Sequence, residues 1–74
     1  MVDNLTGTDK KMLAYLQNDI GEKIWKKPMV RPLKISLDRF NGNERVRIAL
    51  TRWLSRNYGL HIVANFAGGY LNCY

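Results

Sequence analysis

The chain has a single cysteine and a single histidine. One cysteine cannot form an internal disulfide, and one Cys with one His cannot build a Cys/His zinc site. A disulfide scaffold and a zinc module are therefore excluded. The two prolines stand close together, at 28 and 32, and leave the rest of the chain open to regular structure. No apolar run approaches the roughly 20 residues that a bilayer span needs. The six glycines match neither GxGxxG nor a P-loop, so a backbone cradle for a nucleotide is not expected. Negative charge is scarce as well, with six acidic residues against 12 basic ones and a net charge of +6.

What remains is ordinary globular material on a small scale. At 74 residues the chain has room for one small domain, residues 1–74, with the first seven read as a flexible lead. Such a domain hides only ~60% of its unfolded surface. Two Trp, four Tyr and two Phe help, because large rings cover much area per residue. The opening MVDNLTGTDKK lacks the charged-then-apolar order of a secretion signal. Together with the lone Cys73, this leads us to expect a cytoplasmic protein.

Charge is unevenly placed. Residues 1–22 carry two basic and four acidic side chains. Residues 23–56 carry ten basic against two acidic, and all six arginines lie between Arg31 and Arg56. Residues 57–74 hold no charged side chain apart from a possible His61 cation. A basic middle of this kind suits an acidic partner.

Periodicity supplies the elements. Met12, Leu13, Leu16, Ile20 and Ile24 form one stripe of a helix from about Thr8 to Trp25, with Thr8 as its cap. Gly21 could end or loosen its last turn. Residues 33–40, LKISLDRF, satisfy two templates. Leu33, Ile35 and Leu37 alternate as in a strand, whereas Leu33, Leu37 and Phe40 recur as in a helix. Asn41 with Glu44 resembles a capping box for a second helix over about 43–58, with Val46, Ala49, Leu50, Trp53 and Leu54 on one face and Gly59 to stop it; this is favoured over a hairpin turn at Asn41-Gly42, where Val46 and Ile48 would alternate with Arg45 and Arg47. LHIVANF and YLNCY, joined by Ala67-Gly68-Gly69, read as a hairpin with Leu60, Ile62, Phe66 and Leu71 turned inward.

The fold expected is α+β, two helices with a small antiparallel sheet that ends in the C-terminal hairpin. If 33–40 is helical, the element order resembles a winged helix-turn-helix domain over roughly residues 8–74. That would place the second long helix at a DNA groove and the 67–69 turn as a wing. If 33–40 is a strand, the order is α-β-α-β-β.

The candidate site is a row of arginines. Arg45, Arg52 and Arg56, at i, i+7 and i+11, point within about 40° of one another on the second helix. Glu44 is the only acid on that helix, so the row is expected to stand unopposed. Guanidinium groups grip phosphate with paired hydrogen bonds, and three in line suit a polyanion. Lys26, Lys27, Arg31 and Arg39 would extend the surface, with Trp25 among them. The plainer reading of the row is a solvated face that keeps a small protein soluble. For Trp25, and for Tyr58, Phe66, Tyr70 and Tyr74, core packing competes with stacking on bases.

His61 and Cys73 could meet across the hairpin, but a thiol near the chain end lacks the electropositive pocket that a nucleophile needs. Asp19 and Glu22 read as solvated balance for Lys23 and Lys26. No enzyme activity, cofactor or metal is expected, and attachment to a membrane surface is disfavoured because the basic helix needs its apolar face for the core. The expected function is a non-enzymatic, basic nucleic-acid-binding domain with a possible regulatory role, for DNA before RNA, acting through phosphate contacts. The alternative is a small inhibitor or adaptor of viral or mobile-element type that docks on an acidic protein surface.

Overall fold

Thr6 starts the first helix, two residues before the expected cap. Its hydroxyl accepts the Asp9 N–H at 3.1 Å, and its own N–H donates to Asp9 Oδ2 at 3.0 Å. This reciprocal pair satisfies two donors at the helix start, which Thr8 cannot do from inside the turn. Helix α1 runs Gly7–Lys26 in this computed structural model, which describes residues 5–26 and 33–74. Gly21 does not end it. Gly21 is buried, and a Cβ placed there would lie 3.2 Å from Tyr58 Oη, so the missing side chain lets another element approach.

The ambiguous segment divides between its two templates. Leu33–Ser36 is strand β1, and Leu37–Phe40 is a 3-10 helix. Ser36 makes the change: its hydroxyl accepts the Asp38 N–H at 3.3 Å and caps the 3-10 turn. Asn41 closes that turn in the left-handed region, at φ 49, with its N–H bonded to Asp38 O. It is therefore the end of one element rather than the cap of the next. Asn43 caps helix α2 (Glu44–Tyr58), with Oδ1 accepting the Val46 N–H at 3.2 Å. Gly59 stops α2 at φ 65, a conformation that costs any other L residue energy.

Strands β2 (Ile62–Asn65) and β3 (Tyr70–Cys73) form the hairpin, and β3 lies in the middle of an antiparallel sheet of order β1-β3-β2. Ile35, Leu71 and Ala64 share one register row, and Leu33, Cys73 and Ile62 share another. These rows face the helices. Lys34, Asn72 and Val63, with Ser36, Tyr70 and Asn65, face away. The core joins Leu16 and Ile20 of α1, Phe40, Val46, Leu50 and Leu54, and Leu60, Leu71 and Cys73. Val46, Leu50 and Leu54 have no exposed surface, and each such side chain contributes about 1.5–3 kcal/mol by leaving water. Phe66 differs from expectation: it stands at the hairpin turn, 66% exposed.

The architecture is α+β, two helices with a three-stranded antiparallel sheet and a C-terminal hairpin. Its element order carries a strand where one expected layout has it and a short helix where the other does.

Candidate nucleic-acid interface

Helix α2 fixes the arginines through its buried face. Val46, Ala49, Leu50 and Leu54 turn inward, so the flank one side of them carries Arg45, Arg52 and Arg56, all exposed. Eleven residues at 1.5 Å each spread the row over roughly 16 Å. The row runs beside α1, because Arg52 and Arg56 share a cleft with Leu13 and Gln17.

The row is not unopposed. Arg45 Nε donates to Asp9 Oδ2 at 2.9 Å. Asp9 also accepts from Asn43 Nδ2, at 2.6 Å, and its side chain is only 4% exposed. Three donors around one carboxylate hold Asp9 well below the usual carboxylate range, with the Arg45 hydrogen bond the largest cause, the Thr6 N–H next, then Asn43, and the burial opposing them. The same bond raises the Arg45 guanidinium above its ordinary value. The charge that opposes the row comes from α1, 36 residues away in sequence, and no count of acids along α2 could reveal it. Arg45 nevertheless keeps 57% of its side chain exposed.

Arg39 is also committed within the fold. It donates to Asp19 Oδ2 at 2.8 Å and ties the 3-10 helix to α1, with 28% of its side chain exposed. Asp19 is thus a tertiary partner as well as the expected i,i+4 partner of Lys23, at 3.8 Å. The Arg39 hydrogen bond is the main reason that Asp19 is depressed in pKa. Arg47, on the other flank of α2, grips Glu44 at 2.7 Å and lies over the Phe66 ring, 5.3 Å from its centre. Glu44 is lowered chiefly by that bond. Arg56 makes no ion pair with any described residue. Lys27 and Arg31 lie outside the described residues, as do the side chains of Trp25 and Lys26.

Sequence reasoning missed the groove beside the row. Trp53 and Gln17 line two adjoining clefts between α1 and α2. One, of about 210 Å³, holds Arg52, Arg56 and Asn57; the other, about 550 Å³, holds Asn18, Gly21 and Tyr58. Trp53 and Tyr58 meet edge to face, with ring centres 5.3 Å apart. Both rings are half-buried. Trp53 was legible as a core residue from its spacing. Its second role as a wall of the groove depends on how α1 crosses, which spacing does not encode.

The hairpin brings no catalytic pair together. Cys73 faces the core, and burial pushes its thiol up, away from the thiolate. His61 is exposed, one position before Cys73's register partner Ile62, so the two side chains project from opposite faces of the sheet. Tyr70 carries Lys34 over its ring at 4.9 Å on the outward face. Among the described residues no cluster of three His, Cys, Asp or Glu is placed to hold a metal, and no helix is long and apolar enough to cross a membrane.

No family model, curated protein or solved structure matches the chain.

Proposed function

We propose that the protein is a non-enzymatic nucleic-acid-binding domain that holds phosphates along the α1–α2 seam. The observation that carries this reading is the exposed row of Arg45, Arg52 and Arg56 on one flank of α2, with Arg56 unclaimed by any described acid. Three guanidinium groups over roughly 16 Å meet several successive phosphates of an extended strand or of one groove edge. DNA before RNA, and a regulatory role, belong to the proposal through the winged-helix order of the elements, in which α2 has the place of the groove-reading helix.

The ion pairs lower the expected strength of binding. Arg39, Arg45 and Arg47 each pair with an acid of the fold, so one phosphate for each arginine of the exposed row is an upper count, about three. Counterion release with three contacts gives a salt slope of about −2.7 on duplex, and about −2.1 on single strand. Affinity should therefore fall about 40-fold or 20-fold, respectively, between roughly 50 and 200 mM salt. Fluorescence anisotropy of a labelled oligonucleotide across that range is the test, and a flat response refutes the reading.

A second reading, docking on a protein partner, draws on the outward face of the sheet. There Val63 and Tyr74 are 40% and 46% exposed, on the face turned away from the helices. Trp53 stands in the seam among the arginines rather than in this patch, which favours the first reading. Pull-down after nuclease treatment separates the two, because a protein partner survives the nuclease.

A further inference from the structure

We infer that the groove between α1 and α2 accepts an unpaired nucleobase, so that the protein prefers single-stranded nucleic acid to duplex. The inference rests on the polyanion reading above and adds what the seam selects.

Four observations converge on it. The groove has an aromatic wall: Trp53 lines both clefts, and Tyr58 braces it edge-on at 5.3 Å. The cleft beyond Trp53, about 550 Å³, has room for a planar ring. Its floor is Gly21, where a Cβ would lie 3.2 Å from Tyr58 Oη and 3.8 Å from Trp53 Cη2. A larger side chain there would run into the Tyr58 hydroxyl and the edge of the Trp53 ring and take up the floor of the cleft. Finally, the cationic and amide groups stand where a strand would need them. Arg56 flanks Trp53 on the phosphate side, while Gln17 and Asn18 offer amides to a base edge.

These parts fit one occupant. A base stacked on Trp53 in the larger cleft would leave its phosphate toward the adjoining one, which Trp53 shares with Arg56. Duplex bases are already stacked and paired, so they can offer phosphates to the row but no free face to the indole. Stacking of this kind tolerates any base, since every base has a π-face. An acidic peptide would satisfy the arginines but would leave the aromatic wall unused.

The test uses the full chain with Trp25→Phe, which makes Trp53 the only indole. It is titrated at about 50 mM salt with a ~12-nucleotide oligo(dT) strand and with a duplex of the same length. Tighter binding of the strand by fivefold or more, with quenching of Trp53 emission, supports the inference. Gly21→Leu should then remove the preference for the strand while leaving duplex binding in place. Should that variant fail to fold, Trp53 emission in the unfilled groove still decides. Equal, salt-dependent binding of both forms with no change in Trp53 emission overturns the inference and leaves the polyanion reading standing. No binding of either form overturns both.

Discussion

Replacing Asp9 with asparagine removes the charge at the joint between the two helices, and the consequence can be read in protons. Asp9 accepts from Thr6, Asn43 and Arg45, and these bonds keep it ionised in the folded chain well below its ordinary value of 3.8. A depressed carboxylate contributes stability that is present above the unfolded value and lost as the pH falls through the folded one. At pH ~3 the unfolded residue is mostly protonated while the folded one is not. Unfolding then takes up about 0.9 proton at this site alone. Asp9→Asn should remove that uptake. It should also destabilise the fold near neutrality, because an amide cannot keep both oxygens as acceptors and one nitrogen would face the Asn43 donor. Urea unfolding at closely spaced pH values between about 2.5 and 3.5 measures proton uptake as the slope of stability against pH. The variant's slope should be shallower by about 0.9 proton, with Asp19 and Glu44 titrating in both proteins. Identical slopes would show that Asp9 is an ordinary exposed carboxylate, and the account of the joint would fail.

Two further variants probe the scaffold. Leu50→Ala empties a site with no exposed surface and should cost about 2–5 kcal/mol by chemical denaturation, a large share of the total for so small a domain. Gly59→Ala forces a Cβ into φ 65 at the end of α2 and should cost about 1–2 kcal/mol without changing the denaturant slope.

The elements were legible wherever a local signal had one meaning. The stripe of Leu16 and Ile20, the inward face of α2 and the Gly59 stop needed only spacing and one special residue. Residues 33–40 were not, because both templates are real and a short-range cap at Ser36 switches between them. The caps at Thr6 and Asn43 were each misplaced by two residues, since several capping residues stand close together and only the backbone shows which one is used. For the site, the direction of the arginine row followed from helical geometry. Its partners did not: Asp9 and Asp19 reach Arg45 and Arg39 across 36 and 20 residues, and the Trp53 groove exists only because α1 crosses α2 at Gly21.

The central claim is that the position of charge on α2, and not the net charge, directs binding. Arg56→Glu and Lys34→Glu change the net charge equally, but one lies on the α2 flank and the other on the outward face of β1. Measured by anisotropy with the same single strand at about 50 mM salt, Arg56→Glu should weaken binding about tenfold or more and make the salt slope shallower by about 0.7, while Lys34→Glu should weaken it less than about threefold. Equal losses from the two variants would contradict the claim.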